Sequence, residues 1–237
     1  MVTRIVSINI RHGGGTRITR LADWIDTIEP SVVVIPEWRD NAPGNIIRDR
    51  LTTNGFRTAA TTRATPTINS VLVAAKDLSE GREVTPSTSP GGDLMLIDLM
   101  QGVQILGCYF PQRQAKASFF QQCILVAQMN PDVPFVMIGD LNTGRNDLDI
   151  EGAGTPFDCA DLFQSLHTEA DLIDLWRARH GNQQDWTWRS SVNGFCIDHA
   201  FGNKAFVSRF PAFRCFIDHA PRLSGLTDHS AVVLEFD

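Results

Sequence analysis

The sequence predicts an α/β fold whose first two strands run parallel. Residues 5–10 alternate as a strand, residues 16–29 carry apolar side chains at helical spacing, and residues 32–38 form a continuous apolar strand. A helix between two strands of one sheet is a crossover, and crossovers of this kind join parallel strands. Another buried strand over residues 133–140 leaves the core and ends at a carboxylate.

The remaining pattern predicts further helices and strands in mixed order. The predicted helices cover residues 45–54, 115–129, 161–166 and 171–179. The predicted strands cover residues 56–61, 70–75, 94–100, 103–110, 186–189, 195–201, 215–217 and 231–236. No internal repeat, low-complexity tract or linker interrupts this pattern, so we expect residues 1–237 to form a single domain.

Composition and charge exclude several classes of protein. The net charge of −6 argues against a general nucleic-acid coat, which would carry a basic surface. No apolar run approaches membrane-spanning length and no secretory pattern opens the sequence, so we expect a soluble, cytoplasmic protein. The five cysteines form an odd set without close pairs, which predicts buried thiols rather than disulfides or a zinc site.

Polar side chains stand where several predicted strands end. Asn9 and Glu37 lie near the carboxyl ends of the two parallel strands, so they belong at one edge of the sheet, where α/β proteins usually place ligands. Asp140 and Asn142 are two residues apart and share a face at the end of their strand. Asp and Asn are also ordinary turn residues, so this pair alone is equally consistent with a solvated turn.

Three Asp-His pairs occur in the last third of the chain, at residues 198–199, 218–219 and 228–229. Neighbouring strand residues point to opposite faces, so a pair within a strand sends its carboxylate and imidazole apart. The third pair lies in the loop before the last strand, where the backbone can curl, so its two side chains need not point apart. A lone histidine at a strand edge is most simply a structural residue, and only the company of other polar groups argues for a function.

The predicted polar groups have the composition of a magnesium site. Glu37, Asp140, Asn142 and Asp228 offer hard oxygen atoms, and a late histidine joins them, a set typical of sites that handle phosphate. Zinc would require more His and Cys at ligand spacing. The glycines at residues 13–15 lack the spacing of a Walker loop or a dinucleotide fingerprint.

Seven short stretches follow one another along nearly the whole chain: SINI at residues 7–10, IPEW at 35–38, GCYFP at 107–111, IGDLN at 138–142, WTWR at 186–189, IDH at 197–199 and TDHS at 227–230. In this order they resemble the endonuclease/exonuclease/phosphatase superfamily, which includes pancreatic-type deoxyribonucleases, abasic-site endonucleases, inositol polyphosphate 5-phosphatases and neutral sphingomyelinases. The resemblance implies a four-layer α/β sandwich, with two mixed β-sheets packed face to face and helices on the outside.

The resemblance also implies a metal cofactor. Glu37 is similar to the principal Mg²⁺ ligand of this group, and Asn9 and Asp228 match residues that help to hold the metal or its waters. Mn²⁺ would be a plausible substitute for Mg²⁺. Arg11 stands where the abasic-endonuclease branch commonly has an acid, which argues against a second metal position and favours a phosphate contact.

Roles in catalysis follow from the same resemblance. Asp140 matches the residue that orients or deprotonates the attacking water, and Asn142 the one that positions the nucleophile or phosphate. His229 matches the histidine beside the scissile phosphate, with Asp198 as the carboxylate that orients it. Tyr109 matches a phosphate contact. The motifs leave open whether the proton of the water goes to Asp140 or to His229.

Further candidates for contact with substrate phosphate are Arg113 and Trp188, near the ends of two motifs, and Arg39, Arg145 and Arg189 join them in a wider set of arginines. His199 follows Asp198 where members of this group often carry an aromatic residue, a change expected to alter the wall of the pocket.

The main functional hypothesis is a Mg²⁺-dependent phosphodiesterase, a nuclease that cleaves nucleic acid by attack of water. The alternative is a phosphomonoesterase that acts on a small molecule or a lipid headgroup, which the acidic composition and the lack of long insertions for gripping DNA favour over a duplex nuclease. A third hypothesis is a catalytically silent binding module. No obligate protein partner is evident.

Overall fold

The computed structural model describes residues 2–60, 63–87 and 91–237. Its strands are β1 (Thr3–Ser7), β2 (Val32–Trp38), β3 (Arg57–Ala60), β4 (Ser70–Ala75), β5 (Leu78–Glu83), β6 (Asp93–Leu99), β7 (Gln104–Tyr109), β8 (Phe135–Asp140), β9 (Ile173–Asp174), β10 (Trp188–Arg189), β11 (Gly194–Phe195), β12 (Asp198–Gly202), β13 (Arg214–Asp218) and β14 (Ala231–Phe236). Its α-helices are α1 (Ile18–Ile28), α2 (Ala42–Thr53), α3 (Ala117–Met129), α4 (Ala160–Thr168), α5 (Arg177–His180), α6 (Lys204–Arg209) and α7 (Ala220–Leu223).

Two mixed six-stranded sheets form the centre of the fold. The first has the order β13-β14-β1-β2-β4-β3 and the second the order β5-β6-β7-β8-β12-β9. The pairs β1–β2 and β7–β8 are parallel, and the other pairings in the two sheets are antiparallel. A separate ribbon of β10 and β11 completes the described strands.

The apolar residues divide into three buried clusters that define four layers. The cluster between the sheets joins Val34 and Val73 of the first sheet to Ile105 and Val136 of the second. A second cluster packs α1 and α2 on the outer face of the first sheet. The third packs α3 and α4 on the outer face of the second sheet. The predicted four-layer α/β sandwich is therefore confirmed.

The topology gathers polar strand ends at one edge of the sandwich. The carboxyl ends of the parallel strands β1 and β2 point the same way. Because β14 is antiparallel to β1, the residues that precede β14 arrive at that edge too. In the second sheet β8 ends opposite the start of β12, where Asp140 pairs with Asp198.

Most predicted elements are confirmed, and one helix is wrong. Residues 171–179 contain the short strand β9 and the single turn α5, because the chain pairs with β12 and Leu175 donates to the carbonyl of Ala200 at 2.8 Å. The sequence pattern did not predict β5, α6 or α7, and the strand predicted over residues 195–201 is divided between β11 and β12. The predicted strand over residues 56–61 appears as β3, and its last residue lies outside the described part of the chain.

Two bulk expectations can be compared with the structure. All five cysteines are free and buried, as predicted. Among the described residues, no helix has the length and apolar character needed to cross a membrane.

Candidate active site

A cavity of about 460 Å³ lies at the edge where the polar strand ends meet. Its lining includes most of the residues predicted from the sequence: Arg11, Glu37, Arg113, Asp140, Asn142, Trp188, Asp228 and His229. Asn9 and Asp198 are buried directly behind them, since each is bonded to a lining residue. The structure thus brings the predicted metal, water and histidine positions to one cavity.

Glu37 sits at a bulge near the end of β2, with a φ of 58° that is unusual for a residue other than glycine. Its Oε1 accepts from Asn9 Nδ2 at 3.1 Å. Its Oε2 accepts from the backbone N–H of His12 at 2.7 Å and from Asn69 Nδ2 at 3.0 Å. The carboxylate is therefore held from three directions while it still lines the cavity.

The loop over residues 11–15 holds Glu37 through its backbone. All five residues have a positive φ, between 53° and 80°. This conformation turns the N–H of Gly13 to the carbonyl of Glu37 at 2.8 Å and the N–H of His12 to its carboxylate. A Cβ at Gly14 would lie 2.6 Å from Ile18 Cδ1. The loop is therefore a defined turn, and the positive φ of its last three residues suits glycine.

Asn9 links the two halves of the site. Its Nδ2 donates to Glu37 and also to Asp140 Oδ2 at 2.8 Å, and its Oδ1 accepts from the backbone N–H of Arg11 at 2.8 Å. Thr227 Oγ1 donates to the backbone carbonyl of Asn9 at 2.7 Å and ties the segment before β14 to the end of β1. Asn9 orients the carboxylates, and its role near the metal stays a prediction.

Asp140 is a buried carboxyl beside a second one. Burial and the negative charge of Asp198 raise the pKa of Asp140 to about 7, against the partial opposition of His229 and of the Asn142 N–H that donates to its Oδ1 at 2.8 Å. A carboxylate with a pKa near neutrality can accept a proton and release it again. Asp140 thus has the acid–base property that its predicted role requires.

His229 and Asp198 form a buried hydrogen-bonded pair. His229 Nδ1 lies 2.8 Å from Asp198 Oδ2. Burial alone would lower the pKa of His229, but the charge and hydrogen bond of Asp198, together with Asp140, raise it to about 9. Thr187 holds the strand end, since its Oγ1 accepts from the backbone N–H of Asp198 at 3.1 Å. His229 therefore carries a proton at neutral pH.

Two groups of ligand atoms could in principle hold an ion. Atoms of Asp140, Asp198 and His229 lie within 4.8 Å of one another. A histidine that is protonated and bonded to Asp198 is not a metal ligand, so this group fits proton handling better. Glu37 and Asp228 present carboxylate oxygens to the same cavity, and such oxygen donors fit Mg²⁺ or Mn²⁺ better than Zn²⁺.

Asp228 stays ionised at the cavity wall. Burial would raise its pKa, but the charge of His229 and the indole N–H of Trp188, which donates at 3.2 Å, outweigh burial and lower the pKa of Asp228. Arg11 Nε lies 3.7 Å from the same carboxylate. Trp188 is thereby fixed with its ring in the cavity wall.

Asn142 is anchored by its neighbours. Its Nδ2 donates to the carbonyl of Phe110 at 2.8 Å, its Oδ1 accepts from Gln112, and its backbone carbonyl accepts from the buried Lys116 ammonium. Among the residues that the structure describes, the second amide hydrogen has no partner, so it could serve a nucleophile or a phosphate. Burial lowers the pKa of Lys116.

The predicted phosphate contacts separate into two groups. Arg11 and Arg113 line the cavity, and Arg113 has no side-chain partner among the described residues. The remaining arginines do not line the cavity and are bonded to other side chains: Arg39 to Asn69 behind Glu37, Arg145 to Asp147 and Arg189 to Glu151.

In the part of the chain that the structure describes, the residues that line the cavity do not include Tyr109. Its hydroxyl accepts from Asn69 Nδ2 at 3.1 Å, and burial together with Glu37 raises its pKa well above the ordinary value. The phenol therefore keeps its proton at neutral pH. Its contact with phosphate stays a prediction.

His199 does not alter the wall of the main cavity. Its Nε2 lies 2.9 Å from the carbonyl of Thr143, and its ring packs 4.8 Å from that of Phe163. The alternation of β12 explains this, because Asp198 faces His229 and His199 must then face the other way.

Several site residues were missed from the sequence. Asn69, Lys116 and Thr187 each bond directly to a predicted site residue. Asn69 is a common polar residue outside the seven stretches, and Thr187 lies within WTWR but was not singled out there. Lys116 offered one signal: it is one of three lysines and precedes an apolar helix.

The fold is known from solved structures, although the sequence matches no known family description. A scan of the sequence against known family descriptions finds no match. The structure has the endonuclease/exonuclease/phosphatase fold, and it is similar over its whole length to solved members of that fold.

Three of these neighbours illustrate the likeness. An AP endonuclease from Archaeoglobus fulgidus has a TM-score of 0.80 and 17% identity, with 99% of each chain covered. A 3′ phosphatase, NExo from Neisseria, bound to a product DNA hairpin, has a TM-score of 0.82 and 18% identity, again with 99% of each chain covered. An AP endonuclease from Leishmania major has a TM-score of 0.77 and 15% identity, and covers 99% of this chain and 87% of its own.

Proposed function

We propose that this protein is a divalent-metal-dependent hydrolase that cleaves a phosphodiester bond in nucleic acid by attack of water. The observation that carries the proposal is the arrangement around one cavity. A fixed carboxylate at Glu37, a carboxyl of pKa about 7 at Asp140 and a protonated His229 all face the same space. Phosphoryl transfer needs a cation, an activated water and a donor to the developing negative charge.

Glu37 would hold the metal, with Asp228 beside it. The oxygen donors and the hydrogen bonds that orient Glu37 support Mg²⁺, with Mn²⁺ as a substitute. When bound, the metal would neutralise charge on the phosphate. Asn9 would keep Glu37 and Asp140 at a fixed separation, because its amide donates to both carboxylates.

Asp140 is the better candidate for the proton acceptor. Burial and Asp198 raise the pKa of Asp140 to about 7, so this carboxyl can take up a proton from water near neutral pH, whereas His229 already carries one. The protonated imidazole of His229 would instead donate to a phosphate oxygen as charge develops there. Asp198 holds the ring in place and favours its charged form.

Nucleic acid is the substrate class that the site and the neighbours favour together. Arg11 and Arg113 offer guanidinium groups at the cavity for phosphate, and the Trp188 ring forms part of its wall. Two of the neighbouring structures are named as AP endonucleases and one as a DNA 3′ phosphatase. Because of the 3′ phosphatase among these neighbours, the second candidate substrate is a phosphomonoester at the end of a DNA strand.

A substrate panel with Mg²⁺ against EDTA tests the proposal. Plasmid, single-stranded, abasic-site and 3′-phosphorylated oligonucleotides and RNA would be incubated with the protein and with Glu37→Ala and His229→Ala. We expect metal-dependent cleavage that both substitutions abolish. Release of inorganic phosphate without chain cleavage would favour the monoesterase, and activity that survives both substitutions would refute the assignment.

A further inference from the structure

A side chain outside all the recognised motifs connects two parts of the site. Asn69 lies in the loop before β4, where the backbone N–H of Ile68 and the hydroxyl of Thr65, 3.0 Å apart, fix the turn. The Asn69 amide makes three side-chain hydrogen bonds. Its Nδ2 donates to Glu37 Oε2 at 3.0 Å and to the Tyr109 hydroxyl at 3.1 Å, and its Oδ1 accepts from Arg39 Nε at 2.6 Å.

Arg39 determines which way this amide points. A guanidinium only donates, so the oxygen of Asn69 must face Arg39. The NH₂ group then faces Glu37 and Tyr109, both of which can accept. The reversed amide would set its oxygen against the Glu37 carboxylate and its NH₂ against Arg39, and would lose both of these bonds, while Tyr109 would have to donate to it and no longer accept.

Both targets of the amide matter for the chemistry. The Glu37 carboxylate gains a donor that fixes the orientation of its Oε2. The Tyr109 hydroxyl, which accepts from Asn69, keeps its own hydrogen for donation to another group. One side chain thus orients a carboxylate oxygen of the proposed metal ligand and a hydroxyl group.

We propose that Asn69, locked by Arg39, is a positioning residue that couples the Glu37 carboxylate to the Tyr109 hydroxyl. The inference rests on the proposed function where it concerns turnover, and on the structure alone where it concerns metal binding and the state of Tyr109. Partners that orient metal-ligating carboxylates typically contribute about 10–100-fold to metal affinity or activity.

The test uses Asn69→Leu, which has nearly the same shape and cannot hydrogen-bond. Asn54→Leu is the matched control, because Asn54 Nδ2 also donates to a carboxylate, that of Asp26 at 2.7 Å, but on the surface away from the cavity. For Asn69→Leu we expect about a 10-fold weaker affinity for Mn²⁺ by calorimetry and about a 10–100-fold lower kcat/KM. The control should leave both values unchanged.

A spectroscopic measurement reports on the hydroxyl directly. Tyr109 is the only tyrosine in the chain, so ¹³Cζ-labelled tyrosine gives a single NMR signal. We expect Asn69→Leu to shift this signal and Asn54→Leu to leave it in place. In a double-mutant cycle, Tyr109→Phe should cost much less turnover in the Asn69→Leu background than in the native chain, because the coupled pair is already broken.

These outcomes separate the inference from the proposed function. If the native protein cleaves no phosphoester, the proposed function fails, while Mn²⁺ affinity and the tyrosine signal still decide the role of Asn69. Native Mn²⁺ affinity and an unshifted tyrosine signal in Asn69→Leu would overturn the inference. If Asn69→Leu fails to fold, Arg39→Met serves in its place. This substitution retains the Asn69 amide but removes the hydrogen bond that orients it, so Mn²⁺ affinity and the tyrosine signal should change in the same direction to a smaller degree.

Discussion

Asp140 and Asp198 stand directly opposite each other on antiparallel strands, and both carboxyl groups are buried. Two buried carboxyl groups that face each other cannot both ionise at low cost, so the pKa of one of them must rise. Asp198 is bonded to a protonated histidine. The cost therefore falls on Asp140, whose pKa is raised to about 7.

The pH dependence of turnover follows from this pair. kcat/KM should rise as Asp140 ionises, with a midpoint near 7, and fall as His229 loses its proton near 9. A pH–rate profile of the native protein checks this bell shape. Asp140→Asn should lower kcat at least 100-fold. Near-normal turnover in that variant would exclude a general-base role.

Removal of the Asp140 charge should stabilise the fold. The pKa of Asp140 is about 7 when folded and near 3.8 as a free side chain, so folding takes up a proton between these values. Its contribution to stability therefore falls as the pH rises from about 4 to 7. Asp140→Asn sets an NH₂ group against the N–H of Asn9 or Asn142, and this cost is present at every pH. In EDTA, the Tm of Asp140→Asn relative to the native protein should therefore be higher at pH 8 than at pH 4 by at least about 2–4 °C. A Tm difference that does not change between pH 4 and pH 8 would contradict this assignment.

Loss of the Asp198 carboxylate should act through His229. Asp198 raises the pKa of His229, so Asp198→Asn should move the alkaline limb of the pH–rate profile towards lower pH. Since the imidazole would be less charged at neutral pH, kcat should fall by about 10²–10⁴-fold. His229 NMR titration in both proteins measures the shift, and an unchanged alkaline limb would argue against the pair as a unit.

The glycine loop offers a matched pair of substitutions. Gly14→Ala brings a Cβ to 2.6 Å from Ile18 at a φ of 80°, whereas a Cβ at Gly15 meets nothing within 4 Å. Gly14→Ala should therefore destabilise the fold by about 1–3 kcal/mol and weaken Mn²⁺ binding, because the loop holds Glu37. Gly15→Ala should cost about 1 kcal/mol. Equal Mn²⁺ affinity in the two variants would show that Glu37 does not depend on the loop.

Arg113 should contribute to affinity for substrate. It faces the cavity without a partner among the described residues, whereas Arg145 is paired with Asp147. Arg113→Ala should raise KM for an oligonucleotide about 10-fold and reduce the dependence of binding on salt by about one counterion. Arg145→Ala serves as the control with a smaller change. Fluorescence anisotropy at several salt concentrations measures the salt dependence of oligonucleotide binding for both variants. An equal change in Arg113→Ala and Arg145→Ala would contradict a specific role for Arg113.

The parts of the site that lie at strand ends could be predicted from the sequence. Asn9, Glu37 and Asp140 follow apolar runs of strand length, and the parallel crossover places the first two at one edge. The layered fold and the expected role of His229 were inferred from the order of the motifs. The sequence did not show that the loop at residues 11–15 would have a positive φ throughout, because three glycines also suit a flexible loop.

Other features depend on tertiary pairing and leave no local pattern. Asn69 reaches Glu37 only because β4 pairs antiparallel with β2. Residues 171–179 carry apolar residues at helical spacing, yet Leu175 bonds to β12, and this long-range pairing overrides the local preference for a helix.

The hydrogen bond from Thr227 to Asn9 spans 218 positions of sequence. The strands on either side of it, β1 and β14, are neighbours in the sheet, and each leads to part of the same cavity. A nascent chain that emerges from the ribosome therefore carries Asn9 and Glu37 long before Asp228 and His229 exist. The assembled centre is among the most non-local features of the molecule, so it should form late in folding, and no incomplete translation product should contain the complete site.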